Sequence, residues 1–354
     1  MKKIIKPKEL CIECNASCQL RCPECPTTSN NSSPVFGYGF LKFRNFKKLI
    51  DDNPQFILVQ LQNRGEMFLN PEVLDIIKYA YKKKVALYCD SGVNLNNVRD
   101  EVLEGLAKYR FRSILCSIDG ATPEIYKIYR VGGNLNQVIE NVRKINYFKK
   151  KYHSKFPVLA WQFVVFGHNE HEIPKARKLA HELNMSFVTK MAWDSDYSPI
   201  RNKEFVRAET GWNAETREEY EKAEKVDYSR HVCYELWKSP RINWDGKVIG
   251  CCWNNWAEFG GNVFSDGYIA SINSEKMNYA REMLLGNKET QGGLPCSSCK
   301  LYLKMKASNR YLAMKEIFHN TPLWYRTVRF IYLTFSLRRN WFRFWSKKLP
   351  SDLE

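Results

Sequence analysis

From residue 8 to residue 191, short apolar runs alternate with longer stretches whose apolar positions recur every three to four residues. Residues 10–14, 56–63, 85–90, 113–119, 159–166 and 186–191 read as strands, being short and apolar. Residues 71–84, 135–152 and 173–183 read as amphipathic helices. Asn70-Pro71 opens the first of these as capping residue and first helical position. Repeated strand–helix units predict a parallel sheet covered by helices. Six units are too few to close an eight-stranded barrel, so the expected fold class is α/β, a partial (β/α)6 barrel.

The pattern then changes. Residues 199–227 are polar and highly charged and read as a connecting helix and linker. Beyond them come short strand-like runs and more cysteines. Residues 241–243 and 247–249 flank Asp245-Gly246, a strong two-residue hairpin signal. The last stretch is basic and aromatic. The expected organisation is a barrel over 1–198, the connector over 199–227, a small cysteine-rich α+β domain over 228–310 and a basic aromatic helical tail over 311–354.

Composition narrows the function. The 354 residues are 44% hydrophobic, enough for a full core. No window approaches the ~20 apolar residues of a membrane span. The start, MKKIIKPKEL, has no apolar stretch of the secretory kind, so a cytoplasmic location is expected. The formal charge of +17 calls for an anionic partner: a phosphorylated substrate, nucleic acid or an anionic membrane. The plainer alternative is a solvated basic surface. Twelve cysteines, several at short spacings, favour metal or cluster sites over disulfides.

The first cysteine set follows the first strand in the run CNASCQLRCPECP. Cys18, Cys22 and Cys25 have the spacing C-x3-C-x2-C. A [4Fe–4S] cube takes four thiolates, so three leave one iron open to a ligand. The alternatives are a zinc knuckle with Cys14 as fourth ligand, or free thiols. Cys11, Cys14, Cys89 and Cys116 read as packing thiols. The run resembles the radical S-adenosylmethionine superfamily, whose signature is this spacing after the first barrel strand.

That resemblance extends to other strand ends. Gly65 and Glu66 stand where the family carries a Gly-Gly-Glu-Pro motif that binds the amino group of the cofactor; Arg64 and Met67 depart from it. Ser117-Ile-Asp119-Gly, followed by Arg130-Val-Gly-Gly, looks like the SPASM and twitch branches. The resemblance implies that Ser117 contacts the sugar or carboxylate of S-adenosylmethionine and Arg130 its carboxylate. Asp119 has a second reading, as helix cap, a role Thr122 before Pro123 would also serve. Every one of these segments follows the C-terminal end of a strand, the face on which barrels place their active sites.

The second set is Cys233, Cys251, Cys252, Cys296 and Cys299. Four of them complete an all-thiolate site. This resembles the SPASM/twitch extension, in its shorter form with one auxiliary [4Fe–4S] cluster. The expected ligands are Cys233, Cys251, Cys296 and Cys299, with Cys252 as alternative to Cys251; a zinc ribbon is the competing reading.

The resemblance implies a radical S-adenosylmethionine oxidoreductase. Reductive cleavage of the cofactor would yield a 5′-deoxyadenosyl radical that abstracts hydrogen from the substrate. The auxiliary cluster would accept an electron, and an external donor such as flavodoxin or ferredoxin would supply the first one. Peptide modifiers of this family often carry a recognition domain before the barrel. The first strand here starts too early for one, so a small carbohydrate-type or phosphorylated substrate is expected. A peptide- or protein-modifying maturase is the alternative. A nucleic-acid-modifying or -binding protein ranks third, because no RNA-binding module stands out, and a pure electron carrier ranks last. In the tail, Thr321-Pro322 opens a run of aromatics, arginines and lysines with no acidic residue before Asp352. It suits a helix lying on an anionic membrane, peripherally at the inner face, or docking on the barrel or on a partner subunit.

Overall fold

A computed structural model describes residues 4–28, 36–193, 196–224, 227 and 229–319. The six expected strands all form: β1 (Glu9–Ile12), β2 (Leu58–Gln60), β3 (Ala86–Val93), β4 (Ser113–Ser117), β5 (Val158–Val165) and β6 (Ser186–Met191). They pair in chain order and all run parallel. Helices α1 (Phe43–Asp52), α2 (Val73–Lys82), α3 (Asp100–Lys108), α4 (Pro123–Tyr129), α5 (Leu135–Lys151) and α6 (Ile173–Glu182) lie between them in sequence. The result is a mixed α/β, partial TIM-barrel-like sheet.

Side-chain parity gives this sheet two faces. Leu10, Ile12, Val59, Leu87, Cys89, Ile114, Cys116, Leu159, Trp161 and Phe163 share the face that packs under the helices, all nearly inaccessible. The opposite face carries Glu9, Cys11, Gln60, Tyr88, Ser117, Gln162 and Lys190, aligned by the strand registers. Buried polar groups require partners. Tyr88 Oη bonds Glu9 and Gln60, and Gln60 Nε2 donates to Ser91 Oγ at 2.7 Å.

The sheet does not stop at six strands. A hairpin of β7 (Arg241–Ile242) and β8 (Val248–Gly250) extends it, with β7 parallel to β1 and β8 antiparallel to β7. The sheet order is β6-β5-β4-β3-β2-β1-β7-β8. The open edge of β1 is a pairing template, and the hairpin occupies it. The turn is the expected Asp245-Gly246, with Gly246 at φ +93°, where a Cβ would meet Asn262 Oδ1 at 2.3 Å.

Two local expectations are corrected. The helix anticipated from Pro71 begins at Val73, after a 3-10 turn Met67–Leu69. Asn70 is fully buried and turned toward β1: its Nδ2 donates to Cys14 O (2.9 Å) and Leu41 O (3.0 Å). Those carbonyls hold the amide nitrogen, while Oδ1 accepts from Glu72 N at 2.8 Å, so Asn70 also caps the turn that leads into α2, as expected. The connector holds two helices, α7 (Lys203–Thr210) and α8 (Arg217–Glu224). Beyond it come α9 (Glu235–Lys238), the hairpin, α10 (Tyr268–Ile272), α11 (Glu275–Leu284), α12 (Lys300–Ala307) and α13 (Met314–His319). No helix among the described residues is long and apolar enough to cross a membrane. The expectations for the tail beyond residue 319 lie outside the described residues.

Candidate metal and cofactor site

The loop leaving β1 carries the first cysteine set, and the ends of neighbouring strands hold it. Glu66 N, after β2, donates to Ser17 O at 2.9 Å. Asn15 Nδ2 donates to Ser17 O (2.7 Å) and Glu66 O (3.1 Å). After β3, Asn94 Oδ1 accepts from Gln19 Nε2 at 2.9 Å. Beyond α4, Val131 O accepts from Arg21 N at 2.9 Å. Gly65 is what lets the first two loops meet: a Cβ there would lie 1.8 Å from Asn15 O, a contact only glycine avoids.

The three thiols sense one another. Burial pushes Cys18 up to about 12, with Glu66, Cys22 and Cys25 pushing the same way. Burial also raises Cys22; Arg130 opposes this and Cys25 adds to it. Two sulfurs receive N–H donors: Asn94 Nδ2 to Cys18 Sγ at 3.5 Å and Arg130 Nη1 to Cys22 Sγ at 3.6 Å. Cys14 is buried apart from them, its Sγ against Met67 O at 3.8 Å and Asn70 Nδ2 at 3.3 Å.

Glu66 is 2% exposed. Its Oε2 accepts from Asn94 N at 2.7 Å and its Oε1 from Phe68 N at 3.4 Å. Burial lifts its carboxyl to about 7 against those two bonds and the nearby Arg130. Ser117, at the end of β4, accepts from Gln162 Nε2 at 3.2 Å, while the buried Gln162 Oε1 has no partner among the described residues.

Asp119 does not cap α4; Thr122 does, accepting from Ile125 N at 3.4 Å. Asp119 is fully buried. Its Oδ2 accepts from Arg130 Nε and Nη2, both at 2.6 Å, and its Oδ1 from Val164 N at 2.7 Å. Arg130 therefore stands between Asp119 and the Cys22 sulfur. Burial works against its charge, but Asp119 and Cys22 outweigh this and hold it protonated.

The second set gathers around the hairpin. Cys233 lies in the 3-10 turn Arg230–Tyr234, Cys251 follows β8, Cys296 lies in the turn Pro295–Ser298 and Cys299 caps α12. Burial raises Cys233, and Cys296 and Cys299 add to the rise. Burial raises Cys251 too, followed by Glu235, Cys233 and Cys296. Cys252 has a different neighbourhood. Burial and Glu235 push it up to about 11, while Arg241 and Arg64 pull it down. Its amide donates to Glu235 Oε2 at 2.8 Å, and Glu235 pairs through both oxygens with Arg241 at 2.9 Å.

Among the described residues, no three His, Cys, Asp or Glu side chains could hold a single metal ion. A four-iron cube spaces its thiolates more widely, because each binds a different iron. The donor chemistry fits such a group at the first set: three thiols in mutual electrostatic reach, two of them hydrogen-bonded, in a loop held from neighbouring strand ends. Just past β6, Trp193 carries Arg217 3.4 Å over its ring. Trp193 is 61% exposed and meets Trp253 edge-on at 5.1 Å.

Sequence reasoning missed Asn94, Arg64 and the Glu235–Arg241 pair. Asn94 had a usable signal, since it follows a barrel strand as the recognised motifs do. The Glu235–Arg241 pair had none, because its position depends on the unforeseen β1–β7 pairing.

No protein-family model and no curated protein matches the sequence. Solved structures do match in fold. SuiB of Streptococcus suis bound to S-adenosylmethionine aligns with TM-score 0.58 at 12% identity, covering 84% of this chain and 71% of that one. SuiB bound to its precursor peptide SuiA aligns with TM-score 0.57 at 13% identity, covering 84% and 70%. The anSMEcpe enzyme with bound AdoMet aligns with TM-score 0.51 at 16% identity, covering 83% and 86%. With six parallel strands in chain order and a cysteine loop at the C-terminal end of the first, the chain has the fold of the radical S-adenosylmethionine enzymes.

Proposed function

We propose that this protein is a radical S-adenosylmethionine oxidoreductase with one auxiliary iron–sulfur site, acting on a small carbohydrate-type or phosphorylated substrate. The observation that carries the reading is the convergence of strand-end loops on the Cys18–Cys25 segment. Cys18, Cys22 and Cys25 would hold the first [4Fe–4S] cluster, and Cys233, Cys251, Cys296 and Cys299 the auxiliary one. When bound, these groups and S-adenosylmethionine supply a 5′-deoxyadenosyl radical, by one-electron reductive cleavage of the sulfonium, and a one-electron acceptor.

The chain's own residues do the rest. Asn94 and Arg130 donate to the sulfurs of Cys18 and Cys22, and such donors favour the charged form of a thiolate. Gly65 and Glu66 form the seat for an amino group: the glycine brings the backbone close, and an arriving cation would favour the ionised Glu66. Ser117 and Arg130 offer a hydroxyl and a guanidinium to the cofactor's sugar and carboxylate. The polar inner face, with Gln162 and Lys190, supports a hydroxyl-rich or anionic substrate over an apolar one. An external reductant of the flavodoxin or ferredoxin class would supply the initiating electron.

A second reading, modification of a peptide, is favoured by the fold shared with SuiB, whose complex with a precursor peptide aligns over most of this chain. The test of the common core is anaerobic reconstitution. It should give about eight irons per chain, falling to about four when Cys18, Cys22 and Cys25 become alanine. The reduced protein should release 5′-deoxyadenosine from S-adenosylmethionine. Zinc in place of iron, or S-adenosylhomocysteine as product, would reject it.

A further inference from the structure

Arg64 stands where the resembled family carries glycine, and the structure gives this departure a place. Its backbone belongs to the first site: Arg64 N donates to Glu13 Oε2 at 2.7 Å, and Arg64 O accepts from Thr27 Oγ1 at 3.3 Å, two residues past Cys25. Its side chain belongs to the second. Nη2 donates to Cys252 O at 2.9 Å and to Asn254 O at 3.4 Å, just past Cys251. The guanidinium lies 4.8 Å from the Phe36 ring centroid. Its Nε is buried with no acceptor among the described residues. Burial weakens the guanidinium's hold on its proton, while Glu13, Cys252, Cys25 and Cys251 all favour the charge. One fixed cation is thus felt by a cysteine of each set.

We infer that Arg64 is an electrostatic bridge between the two cysteine sites: it pins the Cys251–Cys252 turn to the loop after β2, and its charge raises the reduction potential of the cluster at each site. This rests on the iron–sulfur reading of both sites. The physics is general. Reduction adds negative charge, a nearby cation favours the reduced state, and burial keeps solvent from screening it. The carbonyls of Cys252 and Asn254 fix the guanidinium fork in a way a lysine ammonium does not reproduce, yet lysine keeps the charge. Arg64 is therefore a positioning residue whose charge and geometry separate experimentally.

The experiment is an EPR-monitored redox titration of the anaerobically reconstituted holoprotein, native, R64Q and R64K, with iron counted in each. R64Q should keep its iron. At a fixed solution potential, its reduced-to-oxidised ratio should fall about tenfold at each cluster, equivalent to about 59 mV for a one-electron couple. R64K should stay within about twofold of the native ratio. Native-like ratios in an iron-replete R64Q would overturn the inference. If R64Q loses iron, R64K decides. Intact clusters at native potentials support the role of charge; intact clusters at lowered potentials overturn it. Iron missing from the native chain would instead reject the underlying reading, and this inference with it.

Discussion

Glu66 should make the metal-free chain lose stability as pH rises, and Glu66→Gln should remove that loss. The carboxyl is 2% exposed, and burial lifts it from 4.5 to about 7. Below pH 4.5 it is protonated in both folded and unfolded chains, and its contribution is fully present. As pH rises toward 7 the unfolded chain ionises first while the folded chain keeps the proton, so stability falls through this window. At 1.36 kcal/mol per pH unit the whole effect is about 3 kcal/mol, of which about 2.5 kcal/mol falls between pH 5 and pH 8. The glutamine leaves one amide N–H facing the donors from Asn94 and Phe68, a cost that does not vary with pH. The measurement is urea unfolding of metal-free native and variant chains at pH 5 and pH 8. The variant should gain about 2.5 kcal/mol on the native chain across that interval. Stability profiles that stay parallel would refute the burial argument, because every other titrating group is common to both chains. On the proposed reading S-adenosylmethionine would place its amino group beside Glu66, favour the ionised form and release a proton on binding at pH 6.

Cys251→Ser should lose the proposed auxiliary iron and Cys252→Ser should keep it, because Cys233 and Cys296 are among the leading influences on Cys251, and Arg241 and Arg64 among those on Cys252; iron counting decides, and the reverse pattern would exchange their roles. Asp119→Asn should destabilise the chain by about 3–5 kcal/mol in urea unfolding, since it strands the largely buried Arg130 without its counter-charge; a change under about 1 kcal/mol would mean that the Cys22 sulfur alone suffices as partner. For the tail, co-sedimentation with anionic and neutral liposomes should show binding to the anionic ones by the full chain and its loss from a version ending at Asn320. Equal binding by both versions, or by neither, would remove the membrane contact.

Much of the barrel was legible because its signals are local. Apolar runs of strand length predict parallel strands buried on one face, and all six fell within a few residues of their expected positions. Legibility failed where a partner lies far along the chain. Asn70 has the residue type of a helix cap, and its sequence neighbours support that reading. Its Oδ1 does cap, accepting from the Glu72 amide, but its Nδ2 also binds the carbonyls of Cys14 and Leu41, and nothing local announces those two bonds. The cysteine spacings singled out two candidate ligand sets, the first close together in sequence and the second spread from Cys233 to Cys299. They could not choose between Cys251 and Cys252. That distinction depends on the three-dimensional neighbourhood beyond β8, where Cys251 feels Cys233 and Cys296 and Cys252 feels Arg241 and Arg64.

The pairing of β1 with β7 has a consequence for how the chain is made. β1 leaves the ribosome before the other seven strands of its sheet, and it feeds directly into the Cys18–Cys25 loop. One of its two edges finds β2 early, through a local connection. The other edge waits for Arg241 and Ile242, so until they are made it is an unpaired edge open to foreign strands. A nascent chain that stalls before the hairpin would offer that edge to other molecules, beside thiols that are not yet enclosed. The β7–β8 hairpin thus acts as a late closure for the β1 edge of the sheet.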